Sequence, residues 1–244
     1  MNDINESKSC ILNDKRRGGC GTCESHCAHR IALNGYNGKG GRVASAMIPN
    51  KYRHLTLANS PVRTERPKVY ELLDKFAERF NEGDIDKNLY LWSREPGTGK
   101  TTTSVALLNE HITRSYLRHI KNGETVPQNL GMLFDINEFQ TAYNLATMTR
   151  DNDKLNELGT QLQRVSHSPF VVIDDIGIRD ATEAFKSYVH SVINYRLTNG
   201  LPTVYTSNLP IDEMADVFDA RLYDRIRDNC GVLHFDGKSK RGRV

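Results

Sequence analysis

The amino-acid sequence predicts an α/β fold, a five-stranded parallel sheet built around a phosphate-binding loop. Three observations carry that prediction. The apolar run Leu89-Tyr90-Leu91-Trp92 leads straight into the glycine-rich turn Ser93-Arg94-Glu95-Pro96-Gly97-Thr98-Gly99-Lys100-Thr101-Thr102, which opens into the apolar-periodic Val105-Ala106-Leu107-Leu108. A second run, Pro169-Phe170-Val171-Val172-Ile173, is unbroken, as suits a strand covered on both faces, and ends in two carboxylates, Asp174 and Asp175. Three shorter runs, at 130–136, 203–206 and 231–235, complete the set, with helical patterns between them.

Strand, glycine-rich turn and helix in that order make a phosphate cradle. Backbone N–H groups from Gly97 to Lys100 are expected to point at a nucleotide's phosphates, reinforced by the positive end of the helix dipole. The expected contacts are Pro96, Gly97, Thr98, Gly99, Lys100, Thr101 and Thr102, with Lys100 on the β- and γ-phosphates and the Thr101 hydroxyl on Mg²⁺. The chain carries Arg94 where the pattern G-x-x-x-x-G-K-[ST] has its first glycine. Asp174 lies where open α/β sheets bind ligands, and is expected to hold Mg²⁺ through its water shell while Asp175 polarises the attacking water. Aspartate at 175 is shorter than the more usual glutamate, so slow turnover is expected. Asn208, at the tip of the 203–206 strand, is expected to position the water and report on the γ-phosphate.

At 244 residues the chain has room for one α/β domain and a small addition. Its 38% hydrophobic and 26% charged residues match a soluble globular protein, and a net charge of +3 permits nucleic-acid contact without demanding it. Asp3, Glu6 and Lys8 interrupt any apolar leader, and no apolar run approaches the ~20 residues that span a bilayer. A cytoplasmic protein with reduced thiols and no membrane partner is therefore expected.

Four of the five cysteines fall between Cys10 and Cys27. Segment 1–45 lacks the apolar residues for a core, so a structural Zn²⁺ held by Cys10, Cys20, Cys23 and Cys27 is expected to fold it, with His26 or His29 able to replace Cys10. An equimolar zinc content lost in a Cys20→Ser, Cys23→Ser variant is the expected signature; metal-free clean protein would rule it out. Glycines 35, 38, 40 and 41, then Pro49 and Pro61, mark residues 46–66 as a linker, leaving 67–244 as the nucleotide domain.

From Pro67 to Phe80, Val69, Leu72, Leu73, Phe76, Ala77 and Phe80 form one helical stripe behind an N-terminal proline. Further helices are expected over 138–148, 155–165 and 181–198, the last presenting Phe185, Tyr188, Val189, Val192 and Ile193. Arg221 and Arg225, four apart, share a helix face and are candidates to reach a neighbouring subunit's phosphate. A short basic tail with Lys238, Lys240, Arg241 and Arg243 closes the chain.

With these motifs in place, the chain resembles the DnaC/DnaI family of bacterial and phage helicase loaders, members of the AAA+ ATPases. The resemblance rests on the cysteine-rich arm, Gly97-Thr98-Gly99-Lys100-Thr101, Val172-Ile173-Asp174-Asp175-Ile176-Gly177, Thr206-Ser207-Asn208-Leu209, Asp224-Arg225-Ile226-Arg227 and Lys240-Arg241-Gly242-Arg243. It implies that Lys100 and Thr101 are Walker A, Asp174 and Asp175 Walker B, Asn208 sensor 1 and Arg225 the arginine finger. It also implies an AAA+ core with no full C-terminal lid, an arm that grips the hexameric replicative helicase, and an ATPase domain. That domain is expected to bind single-stranded DNA, which stimulates a slow hydrolysis, and to assemble side by side in an open ring or spiral. An IstB-like transposition helper and a nucleotide-switched, non-catalytic adaptor of the helicase are the alternative expectations.

Overall fold

The computed structural model describes residues 26–177 and 181–237. By Cα proximity the described residues divide into two units, one of residues 26–85 with 105–133, the other of 86–104 with 134–177 and 181–237. No helix among the described residues is long and apolar enough to cross a membrane.

The second unit holds the sheet. Strands β1 (Asn88–Trp92), β3 (Val171–Asp174), β4 (Thr203–Ser207) and β5 (Cys230–His234) lie in it, and β2 (Met132–Asp135) begins at its boundary. The strand order is β2-β3-β4-β1-β5, with parallel pairing of β1 to both β4 and β5 and of β3 to β4. All four residues of β3 are buried, as its unbroken apolar run requires. The registers Trp92↔Ser207 and Ile173↔Tyr205 bring the C-terminal ends of β1, β3 and β4 to one edge. Each sequence-predicted run thus holds a strand, and the helices between them start on side-chain caps.

Those caps explain the helix starts. Asp135 ends β2 and also caps α5 (Ile136–Thr149), its Oδ1 accepting from the Glu138 N–H at 3.0 Å, so no loop separates strand from helix. Asp151 caps α6 (Asn152–His167) and Thr182 caps α7 (Glu183–Thr198) in the same way. Asp219 caps α8 (Ala220–Asn229), accepting from the N–H groups of Arg221 and Leu222. On α7, Phe185, Val189, Val192 and Ile193 are buried as expected, whereas Tyr188 is 42% exposed and meets Tyr143 edge-on.

One buried side chain in this unit escaped the hydrophobic pattern. Arg196 of α7 has no exposed surface. Its guanidinium donates to the carbonyls of Val165 and Ser168 at the end of α6, to the Pro202 carbonyl, and to Thr203 Oγ1 at the start of β4, all between 2.7 and 2.9 Å. Burial lowers its pKa to about 10, still far above neutrality, so the group stays charged.

In the first unit, α3 (Pro67–Glu78) follows the proline start predicted for it and ends in a 3₁₀ turn, Arg79–Asn81. Its buried face is Tyr70, Leu73, Ala77 and Phe80, while Leu72 is 54% exposed. The stripe is rotated from the predicted one because the Tyr70 ring turns inward, where its hydroxyl meets Ser60 Oγ. Helix α4 (Lys100–Asn122) starts in the second unit and runs through the first, with Leu107, Leu108 and Ile112 fully buried. Residues 46–66 are packed: Ala46, Ile48, Leu55, Leu57 and Val62 are all buried, and Asn109 Nδ2 donates to the carbonyls of Tyr52 and Leu55. Pro49 and Pro61 there set turns between core residues.

Short helices α1 (Ala28–Asn34) and α2 (Gly41–Ser45) precede this stretch. Arg42 ties them down, donating to the carbonyls of Ala32, Val126 and Pro127, and His29 Nδ1 lies 2.9 Å from the Tyr116 hydroxyl. Cys10, Cys20 and Cys23 of the expected zinc set, and the tail from Lys238, lie outside the described residues. Cys27 is a half-buried free thiol at the N-cap of α1, and among the described residues no group of three or more His, Cys, Asp or Glu side chains can hold a metal ion.

Candidate nucleotide-binding site

All the geometry that follows lies within the second unit. The loop between β1 and α4 turns on Gly97 and Gly99, whose φ angles of 72° and 97° belong to the left-handed half that side chains disfavour. Arg94 is outside that region, since among the described residues the non-glycine positive φ angles belong to Met47, Arg150 and Asp175. The missing first glycine is therefore not needed. Arg94 instead points outward, its side chain 63% exposed, and pairs with Glu213.

Helix α4 begins at Lys100 with no acidic residue in its first turn, so its positive end faces the loop unmasked. Lys100 is only 7% exposed. Its ammonium donates to Asn208 Oδ1 at 2.9 Å and to the carbonyls of Ser93 and Glu95 at 3.3 and 3.4 Å. Thr98 is fully buried, its hydroxyl 3.4 Å from the Glu95 carbonyl. Thr101 Oγ1 lies 3.1 and 3.0 Å from the two Asp174 carboxylate oxygens. Sequence reasoning placed Lys100, Thr101, Asp174, Asp175 and Asn208 at one site, and the structure brings these five side chains together.

Two partners were missed. Thr206 Oγ1 donates to Asp174 Oδ1 at 2.6 Å and accepts the Asp175 N–H at 2.9 Å, fixing both carboxylates to β4. Its signal was a polar residue at the end of the strand beside the carboxylate strand. Asn137, in the first turn of α5, donates from Nδ2 to Asp175 Oδ2 at 2.8 Å, while Asn208 Nδ2 reaches Asp175 Oδ1 at 3.1 Å. No sequence signal could have found Asn137 without knowing that α5 starts directly from β2. Asp175 itself has φ +64°, a left-handed conformation that aspartate tolerates better than most residues. Next to it Gly177 is required by space: a Cβ there would come within 2.9 Å of Ser207 Oγ.

Asp174 is 7% exposed, and its partners at the site are hydroxyls rather than cations. Burial raises its pKa from 3.8 to about 6; the Thr206 and Thr101 hydrogen bonds oppose the shift, and Asp135 and Asp175 add to it. A buried carboxylate beside a hydroxyl is a donor set that fits Mg²⁺, which takes few protein ligands and fills the rest with phosphate and water oxygens. Because the folded pKa exceeds the unfolded one, the stability owed to the protonated form is present below pH 3.8 and lost as pH rises toward about 6. Above that the ionised group costs about 2–3 kcal/mol. Asp174→Asn is therefore expected to raise the melting temperature of the nucleotide-free protein at neutral pH, with the gain vanishing near pH 4. Thermal melts across that range check it; equal shifts at both ends would contradict the burial argument.

The structure does not place Arg225 at the phosphate loop. Its guanidinium is held on α7 by Asn194 Oδ1 and, at 3.0 Å, by Thr198 Oγ1.

The fold and loop are those of a P-loop protein. Residues 136–244 match the family described as IstB-like ATP binding protein. The chain is 27% identical over 189 residues to the replicative helicase loader DnaI of Bacillus subtilis, covering 72% of this chain and 54% of that one. It thus spans about half the length of that relative. To the replicative helicase loader DnaC of Escherichia coli it is 25% identical over 187 residues, covering 75% and 68%. A crystal structure of DnaI superimposes with a TM-score of 0.56 at 22% identity, covering 82% of this chain and all of that one. These sequence matches agree with the DnaC/DnaI type that the motifs resemble.

Proposed function

We propose that the protein is an ATP-controlled loader that delivers a hexameric replicative helicase onto single-stranded DNA. The observation that carries the reading is the continuous link from Lys100 through Asn208 to Asp175, with Thr101 on Asp174 beside it. A side chain that touches both the phosphate lysine and the water-side carboxylate is positioned to report the γ-phosphate. Similarity to the DnaI and DnaC loaders supplies the partner class.

In this proposal ATP with Mg²⁺ supplies the phosphoryl group and the charge that neutralises it. Lys100 would neutralise phosphate oxygens, Gly97 to Gly99 would let the backbone approach them, and Thr101 and Asp174 would hold the metal. Asp175, oriented on both oxygens by Asn137 and Asn208, accepts the hydrogen bond of the attacking water. Arg225 completes a neighbour's site when subunits pack, exchanging Asn194 and Thr198 for a phosphate oxygen. Cys10, Cys20, Cys23 and Cys27 would hold the zinc of the cysteine arm, and that arm would grip the helicase.

Asp175→Asn is expected to slow ATP hydrolysis about a hundredfold or more while leaving ATP affinity unchanged, because it removes the proton acceptor and its remaining oxygen keeps one of the two amide contacts. Hydrolysis assayed with and without single-stranded DNA, beside equilibrium binding, checks this. The whole reading is tested by size-exclusion co-elution with a bacterial replicative helicase, ATP and zinc, comparing the full chain with its Cys20→Ser, Cys23→Ser variant. Co-elution of the full chain and its loss in the variant support the loader; no co-elution with any plausible host helicase overturns it. The match to IstB-like ATP binding proteins favours one second reading, a helper ATPase in transposition. Co-elution with a transposase in place of a helicase would select it.

A further inference from the structure

Outside the nucleotide site, the first unit carries a pocket of about 360 Å³ whose lining is cationic and amide-rich. Arg30, Lys39 and Arg53 contribute positive charge, Asn34, Asn37 and Asn50 contribute side-chain amides, and no carboxylate lines it. The turn that forms one wall is fixed by its backbone. Gly35 and Gly40 approach so closely that a Cβ on Gly35 would lie 2.6 Å from the Gly40 Cα, and the Gly40 N–H donates to the Asn34 carbonyl at 3.0 Å. Arg53 spans the pocket, with Nε on the Ile48 carbonyl at 2.9 Å and Nη1 3.4 Å from the Gly38 carbonyl. Tyr36, on the same turn, is 65% exposed and meets the His26 ring edge-on, 6.3 Å between centroids.

We propose that this pocket binds one nucleotide unit of a single strand of nucleic acid, the phosphate on Lys39 and Arg53 and the base against Tyr36. Three features fit that ligand together. Cations without competing carboxylates suit a phosphate. Amide side chains offer donors and acceptors to a base edge, as in recognition of unpaired bases. An exposed aromatic ring beside a basic groove is a stacking platform that any base can use. A preformed turn loses little freedom on binding. The proposal rests on the single-stranded DNA part of the function proposed above and assigns that contact to the first unit.

The test is fluorescence anisotropy of a labelled oligothymidylate with the full chain, in wild type and in the exposed-site variants Lys39→Glu and Tyr36→Ala. The expected result is weaker binding by about fivefold or more in each, with Lys39→Glu also lowering the salt slope by about one ion. ATP binding stays unchanged in both. If wild type binds DNA and both variants bind equally well, the pocket assignment fails while the loader reading stands. If wild type binds no single-stranded DNA but co-elutes with helicase, the pocket proposal and the DNA contact both fail. If polyglutamate displaces DNA and only Lys39→Glu has an effect, an acidic protein is the ligand and the nucleic-acid proposal is overturned. A parallel loss of ATP affinity in the variants would assign the pocket to the nucleotide instead.

Discussion

Lys100→Ala is expected to abolish the response of the protein to ATP. The ammonium is nearly buried, sits at the positive start of α4 and already has two loop carbonyls and Asn208 Oδ1 around it. Charge-assisted hydrogen bonds from such a group to phosphate oxygens are worth about 1.5–3 kcal/mol each, so losing two of them weakens binding about a hundredfold or more. The readout is built into the chain. Trp92, the single tryptophan, is the last residue of β1, one residue before the loop, and its ring stacks on His234 at 3.9 Å between centroids. Its emission is expected to change on titration with ATP in wild type and to stay flat in the variant. An unchanged response in Lys100→Ala, with an unaltered circular dichroism spectrum, would remove Lys100 from the phosphate site.

Arg196→Met is expected to destabilise the fold by about 3–5 kcal/mol. The guanidinium has no surface, yet no carboxylate pairs with it among the described ion pairs; its charge is solvated by three main-chain carbonyls and a hydroxyl. Methionine fills part of the volume and leaves those acceptors buried without donors, each at a cost of about 1–3 kcal/mol less whatever water recovers. Urea unfolding measures the loss as a lower midpoint at constant slope. Arg196→Lys should restore little, because one ammonium cannot span acceptors on α6 and β4 at once. A change below about 1 kcal/mol would mean that water replaces the guanidinium freely.

How far the sequence could be read depended on whether a contact was local. The loop, β3 with its carboxylates and Asn208 were legible because phosphate chemistry demands those residue types at that spacing. Thr206 and Asn137 were not, since their roles come from strand order and from the direct passage of β2 into α5. Arg196 was invisible for a related reason: a lone arginine in a helical stripe reads as surface until α6 and β4 are seen to surround it. The glycines and prolines before residue 67 signalled breaks in periodicity but not that the residues between them are core. Leu72 was assigned inward because a hydrophobic stripe does not show that a tyrosine will turn in.

The junction of β2 and α5 has a mechanical meaning. Because Asp135 is at once the last residue of a strand and the cap of a helix, Asn137 has no slack behind it. The Asp175 carboxylate, itself in a left-handed backbone turn, takes its bearing on one oxygen from Asn208, the residue after β4, and on the other from that helix. On the α5 side its aim therefore inherits the stiffness of regular structure instead of the play of a loop. Lengthening α5 at its far end leaves that aim alone. A single residue added at the junction would swing Asn137 by about 100° around the helix axis and release it.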